Sequence, residues 1–488
     1  MSYKLSKTHY LFGLECPRYL WNVVHYPEKT RKMTIAEEYT LAEGIQVGEI
    51  AKQLYPKGIN IPIEDYSENL QKTRELMKKN KPLFEAGFEF ENCFARADIL
   101  FPNDDGWDII EVKKGTRVKE KNIHDLSFQK YVFQGNNLKI KNCYLLHLNG
   151  DYYRKGEQNL QELFVKENIS LEVDAELPFV KERIERIFNF LSSEEIPEPR
   201  VLSLERIVKS NHDCLLEKCL ELPPDNVFCL YGSKKQSYEL FQTGIELIRD
   251  IPEDFILTDK QGIQRECAIT KKPHINKERL NDFLRKLSYP LYFLDFETFL
   301  TAIPMFDGIY PYFQVPFQFS LHIVENSSKK PIHYEYLCDR NEDPREEFLL
   351  ELQKVLGDKG SIVVYNKSFE IYRLKGLADH FPEQKKWTDK VIKRIVDLLE
   401  LFRNFHYYHP KQQGSASIKA VLSAMTDMNY ENLEIRDGRT APGEFLRITC
   451  EECNENEKTK VREDLLKYCK LDTLAQVKII EKLRELVK

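Results

Sequence analysis

Two short apolar runs in the C-terminal half of the chain lead into acidic segments. Residues 291–294 are Leu-Tyr-Phe-Leu and are followed directly by Asp295 and Glu297, while residues 362–365 are Ile-Val-Val-Tyr and precede Glu370. Uninterrupted apolar runs of this length are typical of strands that are buried on both faces. The pattern therefore predicts two central strands that deliver carboxylates near their C-terminal ends.

The last segment, residues 461–488, has the period of a helix with one apolar face. The positions that define this face are Leu466, Cys469, Thr473, Val477 and Ile480. Their intervals of three and four residues place the side chains on one side of a helix. Tyr468 and Asp472 are four residues apart and therefore also share a face.

Asp295 and Glu297 point to the same side of the predicted strand because side chains alternate. Two buried carboxylates this close repel each other unless a cation lies between them. With Glu370 and Asp472 they would offer four oxygen ligands, a set suited to about two divalent cations. Two-metal sites hydrolyse phosphodiesters, and Tyr468 would orient or deprotonate the attacking water. An Asp-x-Glu pair alone is more often a solvated surface pair.

At these residues the chain resembles the DEDD superfamily of 3′-to-5′ exonucleases, in the branch with tyrosine in its last motif. The resemblance covers residues 289–488 and implies an RNase H-like mixed sheet with flanking helices and Mg²⁺ or Mn²⁺ as the cofactor. The superfamily usually has aspartate where this chain has Glu370, so Asp397 is a reserve candidate. Ser417 resembles the serine that begins a helix between the second and third motifs of these nucleases.

Alternating residues in the N-terminal half predict a β-hairpin. Residues 96–100 and 106–113 read as strands joined by a turn-rich segment at 102–105. Alternation places Glu111 and Lys113 on one side of the second strand, facing Asp98 if the strands pair. Two acids could bind a metal ion while the lysine positions a water and offsets developing charge. The alternative is a surface hairpin with a cross-paired Glu and Lys.

These residues resemble the PD-(D/E)XK nuclease fold in its RecB-like form, with Asp98, Glu111 and Lys113 at the signature positions. Gln129, on a predicted helix, matches the first residue of the Gln-x3-Tyr element of that branch, although Phe133 occupies the tyrosine position. Many relatives also carry a metal-binding histidine near residue 48. Glu49 is the candidate substitute in this chain.

Four of the eleven cysteines stand apart from ordinary buried positions: Cys16, Cys214, Cys219 and Cys229. A disulfide framework is not expected, because the chain shows no secretion signal. One remote cysteine with three clustered ones resembles the iron–sulfur nucleases of the RecB-like class, which implies a [4Fe–4S] cluster. A structural Zn²⁺ site and plain thiols remain the alternatives.

Composition limits the classes of partner. The chain has 488 residues, enough for two or three domains, and no apolar stretch long enough to span a membrane, so a cytoplasmic protein without a membrane partner is expected. The formal net charge of −6 argues against global attraction to nucleic acid. Binding of nucleic acid would depend on local clusters of basic residues, such as those at 113–121 and 385–394.

The joint order of these motifs resembles a bacterial family filed as domain of unknown function 2779. The implied α/β architecture has a PD-(D/E)XK nuclease domain at residues 1–235, a helical connector at 236–288 and a DEDD-type exonuclease domain at 289–488. The connector is predicted to contain a helix over residues 238–251.

The leading hypothesis is a metal-dependent hydrolase of nucleic acid phosphodiesters, with DNA favoured over RNA as the substrate. The competing classes are a non-catalytic nucleic-acid-binding protein and an iron–sulfur regulatory protein, each with degenerate nuclease sites. A helicase or a defence system as partner is left open.

Overall fold

The computed structural model describes residues 3–29, 33–197, 222–232, 234–339, 341–450 and 453–488. The chain divides into two compact units, and each contains a sheet covered by helices. The first unit comprises Met1–Glu221 and Thr301–Phe313, and the second comprises Leu222–Leu300 and Gln314–Lys488. The fold is therefore α/β with mixed sheets, and the domain limits drawn from the motifs stay predictions.

The described part of the first unit contains a seven-stranded sheet in the order β2-β3-β4-β5-β6-β7, with β1 beside β4. The strands are β1 Leu5–Ser6, β2 Ile59–Asn60, β3 Leu83–Phe90, β4 Cys93–Asn103, β5 Gly106–Lys113, β6 Ile140–Leu148 and β7 Phe164–Asn168. Strands β3, β4 and β5 form an antiparallel meander, and β6 then runs parallel to β5. A parallel neighbour requires a crossover connection, and α5 provides it.

The helices of this unit cover both faces of the sheet. They are α1 Lys7–Glu15, α2 Pro17–His25, α3 Ile35–Lys52, α4 Tyr66–Met77, α5 Glu120–Gly135, α6 Leu160–Leu163 and α7 Ser170–Leu191. Side chains of β5 alternate between two apolar cores, since Ile109 packs with Leu126 of α5 while Ile110 packs with Val47 of α3. This alternation confirms the predicted period of two and places Glu111 on the α5 side.

The β4–β5 hairpin is tighter than the sequence predicts. Pro102 and Asn103, placed in the turn by composition, still pair with Trp107 and Gly106 in the ladder. The turn itself is formed by the two residues between the strands, of which Asp104 has a positive φ of 29°. Propensity identified the turn, but strand pairing set its limits.

The second unit contains, within its described residues, a five-stranded sheet in the order β11-β10-β9-β12-β13. The strands are β9 Leu291–Phe299, β10 Val315–Val324, β11 Ile332–Leu337, β12 Ser361–Val364 and β13 Ile395–Asp397. Strands β9, β10 and β11 are antiparallel, whereas β12 and β13 run parallel to β9. A separate pair is formed by β8 His274–Ile275 and β14 Tyr407–Tyr408.

The predicted strand at residues 291–294 is longer than its apolar run. Strand β9 continues to Phe299, so Asp295 and Glu297 lie within the strand and not at its end. Pairing with β10 along the whole length of β9 extends the strand past the point where the apolar pattern stops.

The helices of the second unit flank its sheet. They are α8 Lys234–Gln242, α9 Asp259–Thr270, α10 Lys277–Arg285, α11 Arg345–Val355, α12 Lys367–His380, α13 Lys385–Ile392, α14 Leu399–Arg403, α15 Ile418–Met425, α16 Thr440–Cys450 and α17 Glu455–Val487. Helix α17 includes the segment predicted to be helical and begins earlier, at a cap where the Asn454 side chain accepts a hydrogen bond from Glu457 N. Across the described residues, no helix has both the length and the apolar character that a bilayer span requires.

The predicted helix over residues 238–251 is wrong in its extent. Helix α8 ends at Gln242, and Gly244 follows with a φ of 83°, a left-handed conformation that stops a helix. A short 3-10 turn at Ile248–Asp250 forms the rest of the segment. The apolar period extends beyond the end of the helix, because the residues on both sides of Gly244 pack on the same small core.

Candidate functional site

Strand β9 and helix α17 together form the first candidate site. Asp295 pairs with Ser320 of β10, and side chains of residues directly opposite lie on the same sheet face. Ser320 Oγ is 2.7 Å from Thr473 Oγ1 of α17, so the helix covers this face of the sheet. The packing brings Asp472 over the strand that carries Asp295 and Glu297.

The carboxylates on β9 and α17 act on one another electrostatically. Burial and the negative charge of Asp472 raise the pKa of Asp295 well above its usual range. Burial, Asp295 and Asp472 raise the pKa of Glu297 in the same way. We define Asp295, Glu297, Glu370 and Asp472 as the C-terminal carboxylate cluster. None of the four forms an ion pair within the described parts of the chain.

Glu370 joins the cluster through a sharp strand-to-helix turn. Asn366 connects β12 to α12 with a φ of 89°, a left-handed conformation that asparagine tolerates better than most residues. This turn places Glu370 in the first turn of α12, where it is 1% exposed. Its Oε2 has no hydrogen-bond partner among the described residues. Burial and the charge of Asp295 raise the pKa of Glu370 well above its usual range.

The reserve candidate Asp397 has a different role in the structure. Its Oδ1 accepts hydrogen bonds from the backbone N–H groups of Asn366 and Leu399, each at 3.0 Å. The carboxylate thereby holds the ends of two neighbouring strands together. Glu370, and not Asp397, is the carboxylate with an unsatisfied buried oxygen.

A tyrosine from a distant segment hydrogen-bonds to Asp472. The Tyr430 hydroxyl donates to Asp472 Oδ1 at 2.5 Å, and Tyr468 lies one turn earlier than Asp472 on α17. Burial raises the pKa of Asp472 to about 6, although the Tyr430 hydroxyl and the charge of Lys419 act in the opposite direction. Burial, followed by the neighbouring carboxylates, raises the pKa of Tyr468 far above its usual range.

Sequence reasoning assigned no role to Tyr430 or Lys419. The Lys419 ammonium lies 5.1 Å from the centre of the Tyr468 ring and 5.2 Å from that of Tyr430, and it donates to the Arg436 carbonyl oxygen. Ser417 caps α15 by accepting from Ala420 N, as predicted for a serine-led helix, and so positions Lys419 in its first turn. The Ser-x-Lys spacing was the available signal for Lys419.

The second candidate site lies on β4, β5 and α5 of the first unit. Val112 N donates to Asp98 Oδ2 at 2.7 Å, which fixes the Asp98 carboxylate beside β5. Glu111 is 1% exposed, and its Oε1 accepts hydrogen bonds from Lys113 at 2.6 Å and from Lys7 at 2.7 Å. Its Oε2 accepts from Gln129 Nε2 at 2.7 Å. The structure thus brings the four predicted residues Asp98, Glu111, Lys113 and Gln129 together.

Asp125 completes this N-terminal cluster, which consists of Lys7, Asp98, Glu111, Lys113, Asp125 and Gln129. The buried Asp125 carboxylate accepts from Lys113 Nζ at 2.9 Å and from Gln129 Nε2 at 2.9 Å. Burial would raise the pKa of Asp125, but Lys7 and Lys113 outweigh it and lower that pKa below its usual range. Sequence reasoning missed Asp125, although it precedes Gln129 by four residues on one helix face.

The two clusters differ in charge. The N-terminal cluster pairs three carboxylates with two lysines, Lys7 and Lys113, and so compensates most of its own charge. The C-terminal carboxylate cluster has four carboxylates, and the described structure pairs none of them with a basic side chain. The C-terminal carboxylate cluster therefore has the larger excess of acidic side chains.

Other candidate residues are placed away from these clusters. Glu49, predicted as a substitute metal ligand, is largely exposed and forms an ion pair with Lys52 at 2.6 Å. The structure therefore gives Glu49 the role of a surface ion-pair partner. Phe133 packs in the core against Phe88, with ring centres 4.5 Å apart. Tyr131 donates instead to Glu91 at 2.6 Å.

The structure describes two of the four candidate cluster cysteines. Cys16 is buried at the start of α2, where its Sγ accepts a hydrogen bond from Tyr19 N at 3.4 Å. Cys229 ends the 3-10 turn Val227–Cys229 in the second unit. Cys214 and Cys219 lie outside the described residues, so the [4Fe–4S] or Zn²⁺ site stays a prediction.

Comparison with known proteins identifies a matching family segment and three relatives. Residues 292–417 match the family model described as "Domain of unknown function (DUF2779)". The chain is 29% identical over 252 residues to "Uncharacterized protein MG366" of Mycoplasma genitalium, which covers 47% of this chain and 37% of the relative. It is 27% identical over 214 residues to the MG366 homolog of Mycoplasma pneumoniae, covering 40% and 32% of the two chains.

"Uncharacterized protein UU173" of Ureaplasma parvum is 26% identical over 226 residues, covering 42% of this chain and 33% of the relative. Each match spans about a third of the length of the relative. The matched family segment contains Asp295, Glu297 and Glu370 and ends before Tyr468 and Asp472. The comparisons therefore support the resemblance to this family in the segment that carries three of the four carboxylates.

Proposed function

We propose that the second unit is a metal-dependent exonuclease that hydrolyses nucleic acid phosphodiesters from the 3′ end. The observation that carries the proposal is the C-terminal carboxylate cluster, in which the partly exposed Asp295 and the buried Glu297, Glu370 and Asp472, from three segments, form no ion pair with a basic side chain in the described structure. Burying like charges is costly unless cations compensate them. Oxygen ligands of this number suit Mg²⁺ or Mn²⁺.

The donor set fits divalent cations on structural grounds. The buried Glu370 Oε2 has no hydrogen-bond partner in the described structure. A carboxylate oxygen without such a partner is free to bind a metal ion. Asp295, Glu297, Glu370 and Asp472 would hold the ions, which supply charge neutralisation and an activated water. The mixed sheet with flanking helices agrees with the RNase H-like fold implied by the DEDD resemblance.

The remaining residues would orient the reactants. Tyr430 donates to Asp472 and fixes the rotation of that carboxylate. Tyr468, one turn before Asp472 on α17, would orient the attacking water or take its proton. The Lys419 ammonium, beside both tyrosine rings, would attract the phosphate backbone. These roles favour nucleic acid as the substrate.

The N-terminal cluster supports a second, separate function in the first unit. Its Asp98, Glu111, Lys113 and Gln129 agree with the RecB-like PD-(D/E)XK resemblance. The close pairing of Lys7 with Glu111 compensates charge that a metal ion would otherwise balance. This compensation favours a first unit that mainly binds nucleic acid. Hydrolysis by the first unit would be secondary to hydrolysis by the second unit.

End-labelled single- and double-stranded DNA and RNA, incubated with Mn²⁺ or with EDTA, would test the proposal. We expect stepwise shortening from the 3′ end with Mn²⁺, none with EDTA, and loss in Asp295→Asn. Asp379→Asn, an exposed acid on the same helix as Glu370, is the matched control and should cleave normally. Equal cleavage by Asp295→Asn and the parent protein would assign the activity elsewhere and overturn the proposal.

A further inference from the structure

A thiol lies inside the C-terminal carboxylate cluster. Cys469 is on α17, fully buried, and its Sγ is 3.7 Å from Asp295 Oδ2. One carboxylate oxygen of Asp295, one of Glu297 and the Cys469 Sγ all lie within 4.8 Å of one another. A single ion placed among them would reach two hard oxygens and one soft sulfur.

The separation of these atoms matches that of ligands on one metal ion. Bond lengths of about 2.3 Å to sulfur and about 2.1 Å to oxygen, at a tetrahedral angle, put the two ligand atoms about 3.6 Å apart. The Sγ to Oδ2 distance of 3.7 Å is therefore close to ligand spacing before any rearrangement. Thiolate ligands select Zn²⁺ and similar ions over Mg²⁺.

An independent observation points to a cation at this place. Glu370 is 1% exposed, and its Oε2 has no hydrogen-bond partner in the described structure. Glu370 lies in the first turn of the helix that follows β12, and β12 pairs with β9, the strand that carries Asp295 and Glu297.

Packing alone does not account for this position of Cys469. Cys267, a second buried cysteine of the same unit, packs in an apolar cluster with Phe405 and Tyr408. The Cys469 thiol instead donates weak hydrogen bonds to Asp295, with Sγ 3.7 Å from Oδ2 and 4.0 Å from the carbonyl oxygen. A residue that only filled space would not need acidic neighbours.

We propose that Cys469, Asp295 and Glu297 form a site for a thiophilic divalent cation of the Zn²⁺ class, which displaces Mg²⁺ or Mn²⁺ and inhibits the second unit. On binding, the thiol proton passes to solvent and a sulfur–metal bond forms, with no change in oxidation state. The inhibition rests on the proposed nuclease function, whereas the binding does not. The site would thereby connect nucleic acid hydrolysis to the supply of thiophilic metal.

The test uses Cd²⁺ as the probe, because thiolate coordination of Cd²⁺ gives an ultraviolet charge-transfer band. The full chain, reduced and free of oxygen, is titrated with Cd²⁺ as wild type, Cys469→Ser and Cys267→Ser. The other cysteines give a background band that all three proteins share. Above this background, we expect wild type and Cys267→Ser to show a further contribution that Cys469→Ser lacks. We also expect Mn²⁺ to suppress that contribution in wild type. Identical bands in wild type and Cys469→Ser would overturn the proposal.

A second measurement tests the proposal if the Cys469→Ser variant does not fold. Asp295→Asn keeps the thiol and should weaken the Cys469 part of the band, and Cd²⁺ should release Mn²⁺ from wild type as seen by electron paramagnetic resonance. Retention of all bound Mn²⁺ would count against a shared site. If Cd²⁺ binds through Cys469 but no nucleic acid is cleaved, the nuclease proposal fails alone. If cleavage requires Asp295 but Cd²⁺ does not bind through Cys469, the thiophilic metal site is rejected and the nuclease proposal stands.

Discussion

The Tyr430 hydroxyl donates a 2.5 Å hydrogen bond to Oδ1 of Asp472, from a segment 42 residues earlier in the chain. Both side chains are 5% exposed, so the bond is shielded from water. A shielded bond to a charged acceptor favours the ionised carboxylate and opposes the effect of burial on its pKa. Tyr430 therefore helps keep Asp472 ionised, as the proposed metal site requires.

Tyr430→Phe should weaken Mn²⁺ binding by roughly tenfold, because a hydrogen bond to a charged group contributes about 1.5–3 kcal/mol. The pKa of Asp472 rises without the hydroxyl, so protons compete better and the loss should be larger at pH 6 than at pH 8. Titration calorimetry at both pH values measures it. Tyr372→Phe, at an exposed tyrosine of the same unit, is the control. Unchanged Mn²⁺ affinity at pH 6 would contradict this role.

Asp472 should make the stability of the metal-free protein pH-dependent. Its pKa is raised from 3.8 to about 6 on folding, so the folded state binds the proton more tightly than the unfolded state. Stability contributed by this group is therefore present at low pH and is lost as pH rises from about 4 to about 6. Denaturation in EDTA should show the stability of wild type relative to Asp472→Asn falling across this range. A difference independent of pH would refute the assignment.

Tyr468→Phe should lower exonuclease turnover by roughly 10²-fold, since a side chain that transfers a proton in the transition state contributes about 10²–10⁴-fold. Only one oxygen is removed, so the melting temperature and Mn²⁺ affinity should change little. Single-turnover kinetics on 3′-labelled DNA separates the chemical step from binding. A variant as fast as the parent would show that another group orients the water.

Lys113→Met should destabilise the first unit by on the order of 2–3 kcal/mol. The change leaves Glu111 and Asp125 short of a partner, and breaking a fully buried pair costs about 3–5 kcal/mol, reduced here because Lys113 is partly exposed. Urea denaturation measures the loss, with Lys155→Met at an exposed site of the same unit as control. It should also remove any cleavage that Asp295→Asn leaves. Parent-like stability would show that the cluster tolerates uncompensated charge.

The four cysteines Cys16, Cys214, Cys219 and Cys229 predict a bound cluster that can be tested directly. Anaerobically purified protein should be brown and contain iron and sulfide, and Cys16→Ser should lose both together with solubility. Cys93→Ser, at a buried cysteine of the first unit outside the set, should keep them. Zinc in place of iron would retain the structural claim, and four freely alkylated thiols with neither metal would reject it.

The sequence by itself determined which residues could share a face. The period of two placed Glu111 and Lys113 together on β5, and the helical period placed Tyr468 and Asp472 together on α17. These relationships are local, so a single element is enough to produce them. The apolar runs likewise located β9 and β12, although strand pairing set their true ends.

Only the tertiary structure decided which faces meet. Lys7 reaches Glu111 across 104 residues, and Tyr430 reaches Asp472 across 42, with no periodic signal at either end. Cys469 shared the apolar pattern of α17 in sequence, yet packing directs its sulfur to Asp295. Local pattern reports the environment that each side chain prefers, whereas sheet order and helix packing determine which charges become neighbours.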